Sequence, residues 1–204
     1  MFQSIMQERG PVFFPGFNAE RHYMVPFYQE QGLPDHLAHW QNTVDAMLVG
    51  ITSDQPIYFM ADQAFVPAGT AQRRPGLHVD GYWHPSLSAH GGGGHRGYGG
   101  HRGRGGHGGS HMSAGWDDID FTDPEALILA SNVSAARAFI GTYDGPIGEG
   151  GDCSSIETNN LAVLHMNRNR AYCGTVATLH ESLPVQVDSY RTMVRLNCPG
   201  VTIQ

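Results

Sequence analysis

Within the stretch GLHVDGYW (76–83), His78 and Asp80 are of the types that hold a metal ion, and they stand two apart. In an extended strand, side chains at i and i+2 point to the same side, so both could reach one point. The pair alone decides little, because chance supplies about 0.7 His-x-Asp pairs in a chain of 204 residues with 12 histidines and 12 aspartates. A metal centre needs a third ligand from another strand. His180 is the candidate: it ends the apolar run TVATLHE (175–181) and is followed by Pro184 and a turn. A further strand then begins at Arg191 and carries Arg195 on the same face.

The order His-x-Asp, about a hundred residues, then LHESLPV and an arginine resembles the iron(II)- and 2-oxoglutarate-dependent dioxygenases over about residues 56–198. The distal segment is similar to that of prolyl hydroxylase-like members. The resemblance implies a double-stranded β-helix (jelly-roll) core with His78, Asp80 and His180 as iron ligands. In that family a basic residue eleven after the distal histidine binds the distal carboxylate of 2-oxoglutarate, which here is Arg191. Arg195 is the alternative anchor, or faces a substrate carboxylate or phosphate. Asn132 and Tyr58 lie on strands where members often place polar contacts to the co-substrate, and Tyr172 and Thr175 are similar candidates. For each of these four, a polar group paired within or beside its strand is the other reading. The implied reaction is hydroxylation of a peptide, nucleobase or small metabolite, with decarboxylation of 2-oxoglutarate to succinate.

The residue types suit that chemistry. Two neutral imidazoles and one carboxylate on one face of iron(II) leave positions for a chelating 2-oxo acid and for dioxygen. A guanidinium meets a remote carboxylate as a two-pronged donor, where lysine would offer only a point charge. His165, in VLHMN, is the competing histidine. Alternation places it with Leu161 and Val163 on one face, which predicts a packed, hydrogen-bonded side chain. Histidines 84, 90, 95, 101, 107 and 111 fall in or beside a glycine-rich tract, which cannot pre-organise a metal shell by itself.

Short strands must position these groups. The runs 56–66, 76–83, 126–133, 136–141, 160–167, 175–181 and 191–197 are separated by Gly, Pro, Asn and Asp, a spacing that predicts a sandwich, jelly roll or small barrel. Leu33, Leu37, Trp40, Val44, Met47, Leu48 and Ile51 recur at helical spacing with Pro34 and Asp35 in the first turn, predicting one helix that covers a sheet. Residues 1–30 show no clear period and read as a short strand plus irregular wrapping. The expected class is all-β with a flanking helix, a single jelly-roll domain over 1–204.

Residues 91–111 interrupt this pattern. They divide into triplets with Gly first, the period of polyproline II and collagen-type helices, but contain no proline. The run reads either as a flexible loop, there acting as a lid or substrate-docking strand, or as glycine helices packed against one another or against other subunits. The second choice supports another function: a structural jelly-roll subunit of a virion, capsid or fibre, forming a homo-oligomer or larger assembly through 91–111. A cupin-like module would be expected to show a clustered His-x-His with a following Glu, which this chain lacks. The net charge of −7 argues against general nucleic-acid binding. Cys153, Cys173 and Cys198 lack metal-type spacing and read as free thiols. The N-terminal residues lack a basic start and a long apolar run, so the expectation is a cytoplasmic or virion protein with no membrane span.

Overall fold

The structure is a computed structural model that describes residues 1–83 and 121–203. At its centre β4 (Ile57–Val66) pairs antiparallel with β10 (Ser189–Pro199), from Ser189 opposite Val66 to Asn197 opposite Tyr58. On its other side β10 pairs with β5 (Glu125–Ser131), which pairs with β8 (Arg170–Thr175). Two N-terminal strands complete this six-stranded sheet: β2 (Met6–Pro11) beside β8 and β3 (Arg21–Phe27) beside β4. The period-2 pattern of these strands is chemical, since both faces of the sheet are covered. Val194, Leu196 and Cys198 of β10 face outward with Ile57, Phe59 and Ala61 of β4 and with Ala126, Ile128 and Ala130 of β5, in one apolar cluster under the helical segment. The alternate residues of β10, Arg191, Met193 and Arg195, face inward and line a cavity.

The smaller sheet is built on β6 (Ala136–Tyr143), flanked by β7 (Ala162–His165) and by β9 (Leu179–Ser182), with β1 (Phe2–Ser4) pairing its far end. Beyond β9 the sheet continues through His78, bridged to His180 on one side and to Asp152 on the other. In chain order β4 lies in the large sheet, 77–79 in the small, β5 in the large, β6 and β7 in the small, β8 in the large, β9 in the small and β10 in the large. This alternation is the coil of a jelly roll, one of the folds the strand spacing allowed and the one the resemblance implied.

Several local expectations need correction. The strand expected over 76–83 is reduced to isolated bridges at His78, because Gly76 and Gly81 hold φ of 89° and 66° and turn the backbone out of the extended region on either side. The single helix expected from the 33–51 pattern is a 3₁₀ segment, Asp35–Trp40, followed by α1 (Gln41–Met47). Pro34 enters with ψ of 150°, and the Leu37 amide bonds back to the Pro34 carbonyl at 2.7 Å, which winds the first turns tightly and eclipses the buried Leu37 and Trp40. The strand expected over 175–181 begins only at Leu179, and β8 precedes it. Gly174 in β8 admits no side chain, since a Cβ there would stand 2.3 Å from the Ile5 carbonyl oxygen. The N-terminal segment contains three strands; their exposed, bulged edges hide the alternation. His165 is exposed on the edge strand β7, so it is not the packed histidine its register suggested. All three cysteines are buried free thiols, as expected. No helix among the described residues is long and apolar enough to cross a membrane. The readings of 91–111 and of the histidines at 84–111 lie outside the described residues.

Candidate metal centre

His78 and His180 face each other across an antiparallel rung, each amide donating to the other's carbonyl at 3.0 Å. That register places the two rings side by side, with centroids 4.4 Å apart. Asp80 completes the group, its Oδ2 lying 3.5 Å from His180 Nε2. One ligand atom from each of His78, Asp80 and His180 falls within 4.8 Å of the other two. Each imidazole is also oriented from behind: Nδ1–H of His78 donates to the Gly76 carbonyl at 2.8 Å and that of His180 to the Thr178 carbonyl at 2.9 Å. With Nδ1 carrying the proton, Nε2 keeps its lone pair for a metal.

The electrostatics suit a cation. Burial, reinforced by the His180 ring, pushes His78 down to about 3, so it is neutral and ready to ligate. Burial opposes the charge on Asp80, but Arg195 first, and the two histidines after it, hold its carboxyl well below the usual range. Arg195 Nη1 donates to Asp80 Oδ1 at 2.9 Å, which leaves Oδ2 turned toward His180. Arg195 is steadied in turn by a buried chain. Its Nε donates to Asn197 Oδ1 at 2.6 Å, and Asn197 Nδ2 donates to Glu125. Glu125 also accepts the Trp83 amide at 3.1 Å, and burial raises it to about 7 against the pull of those donors.

A cavity of about 80 Å³ opens beside the three groups, between the sheets, with Arg191 in its wall. Arg191 is 1% exposed. Its Nε donates to Ser131 Oγ at 3.2 Å and its Nη2 to the Ala135 carbonyl at 3.4 Å, while Nη1 has no hydrogen-bond partner among the described residues. Burial lowers its pKa to about 10, with the neighbouring Arg73 acting in the same direction.

Of the other residues singled out from the sequence, Tyr172 lines the cavity, and Asn132, Tyr58 and Thr175 do not. The amide of Asn132 is engaged by the β10 backbone, donating to the Tyr190 carbonyl and accepting from Thr192 N. Tyr58 packs in an apolar cluster with Met24, Met60 and Met193, beside Trp83. Thr175 borders a different hollow near the N-terminus. Tyr172 does line the cavity, but its hydroxyl donates to Glu8 at 2.8 Å. Sequence reasoning missed Asn197, Glu125 and Arg73. Asn197 had a signal, since it continues the inward set Arg191, Met193, Arg195 at period 2; Glu125 had none, because its partners are distant in sequence.

Comparison with protein-family models, with curated proteins and with solved structures finds no match. What the fold and site define is therefore a class: an all-β jelly roll whose inner wall holds a His-Asp-His group able to bind a metal ion.

Proposed function

We propose that the protein is an iron(II)- and 2-oxoglutarate-dependent dioxygenase that hydroxylates a substrate while decarboxylating 2-oxoglutarate to succinate. The observation that carries the reading is Arg191: a buried guanidinium whose Nη1 has no partner among the described residues, in the wall of the cavity that His78, Asp80 and His180 also line. A buried donor without a partner is costly, and an acidic ligand would satisfy it. The donor set also fits ferrous iron, with two imidazoles and one carboxylate.

When bound, the iron supplies the oxidative chemistry at the substrate C–H bond. The chain's own part is to position. His78, Asp80 and His180 would hold the metal on one side, and Arg195 anchors the Asp80 carboxylate through Oδ1. Arg191 would take the distal carboxylate of the co-substrate, and Ser131 and the Ala135 carbonyl keep its fork oriented. Residues of both sheets form the walls of the cavity.

Adding iron(II) and 2-oxoglutarate to the full chain without oxygen is expected to give the weak visible absorption band of the chelate. His180→Ala and Arg191→Met each abolish it. A folded wild-type protein that gives no band refutes the proposal.

A further inference from the structure

Among the described residues, the arginines that line the cavity outnumber its own carboxylates, Asp80 and Glu181, and Glu181 is taken by Arg137 at 2.6 Å. Five arginines among the described residues line the cavity: Arg73, Arg74, Arg170, Arg191 and Arg195. Two are well matched. Arg74 donates to the Gly150 carbonyl at 2.6 Å and lies 3.5 Å from Asp152, and Arg170 meets Glu8 at 2.6 Å. Arg191 answers the distal carboxylate of the co-substrate on the reading above.

Arg73 and Arg195 remain in surplus. Asp62 meets two guanidiniums with a single charge, Arg21 at 2.9 Å and Arg73 at a long 3.4 Å. Asp80 likewise divides its charge between Arg195 and the metal it would ligate. Arg195 is 4% exposed and its Nη2 has no hydrogen-bond partner among the described residues. The Arg73 side chain is 26% exposed, so it is reachable from solvent. Both lie within electrostatic reach of the half-exposed Tyr23 phenol, as does Asp80.

We infer that the substrate bears an oxyanion, a carboxylate or a phosphate, that docks on Arg73 and Arg195 beside the metal. The inference rests on the dioxygenase reading for the occupancy of the metal group and of Arg191. The physical reason is electrostatic. A neutral substrate would seal an unpartnered Arg195 N–H and a half-neutralised Arg73 away from water, whereas an oxyanion supplies the missing acceptors and charge.

The test uses the full chain, with inorganic phosphate and acetate as probes at constant ionic strength made up with chloride. Each probe is titrated anaerobically into the protein with iron(II) and 2-oxoglutarate, followed by the visible band and by calorimetry. At least one probe is expected to bind saturably and to perturb the band, and the tighter of the two identifies phosphate or carboxylate. Arg73→Gln weakens that binding about tenfold while leaving the unprobed band in place, and Arg73→Lys recovers much of it by restoring the charge. If the band forms but neither probe binds, or Arg73→Gln binds as well as wild type, the inference is overturned and the dioxygenase reading stands. If no band forms yet a probe binds in an Arg73-dependent way, the dioxygenase reading fails and the anion site survives. Absence of both overturns both.

Discussion

Replacing Arg191 by methionine is expected to stabilise the unliganded protein while destroying its affinity for 2-oxoglutarate. Burial lowers the guanidinium from 12.5 to about 10, so holding it charged costs the fold about 3 kcal/mol at neutral pH. The sign follows from proton binding. The folded state holds this proton less tightly than the unfolded chain, so the penalty is fully present at any pH below about 10. Against it stand two hydrogen bonds, to Ser131 Oγ at 3.2 Å and to the Ala135 carbonyl at 3.4 Å, both long and each worth about 0.5–1 kcal/mol net. Methionine fills most of the same space without a charge. The expected net gain is about 1–2 kcal/mol, or a rise in Tm of about 2–8 °C for a chain of this size. The assay is thermal and urea unfolding of both proteins, with and without 2-oxoglutarate and a divalent ion. Wild type gains stability with ligand by mass action; the variant starts higher and does not respond. A variant less stable than wild type by 1 kcal/mol or more would refute the reasoning, because Arg191 would then be a structural residue and not a strained ligand site.

Two further outcomes follow from neighbouring residues. Burial raises Glu125 to about 7, so the folded state binds its proton more tightly than the unfolded chain and stability falls as pH rises from about 4.5 to about 7; Glu125→Gln removes about 3 kcal/mol of that slope in urea titrations, and an unchanged slope would show Glu125 to be ordinary. Gly174→Ala drives a methyl to 2.3 Å from the Ile5 carbonyl and 2.7 Å from Thr178 Oγ1, so β8 must separate from the N-terminal strands; a loss of about 1–3 kcal/mol is expected, and a Tm within 1 °C of wild type would contradict the packing described.

The parts of this molecule that were legible in the sequence are those whose partners impose a period. The runs 56–66, 126–133, 136–141 and 191–197 became β4, β5, β6 and β10 because each has apolar neighbours on at least one face over several residues. The edge strands β2 and β3 were not legible, since exposed and bulged backbone asks little of its side chains. His78, Asp80 and His180 were visible through their spacing, the apolar run before His180 and the resemblance those residues carry. Arg73, Glu125 and Asn197 belong to the same neighbourhood only through tertiary pairing. The most informative signal lay in β10, where Arg191, Met193, Arg195 and Asn197 share the inner face and Val194, Leu196 and Cys198 the outer. Apolar residues alone would hold both faces of such a central strand. Arg191, a buried guanidinium there with an N–H lacking a partner among the described residues, opposes folding. Residues that oppose folding at the centre of a sheet persist where a bound group compensates them, so the same alternation that locates the core also locates the ligand.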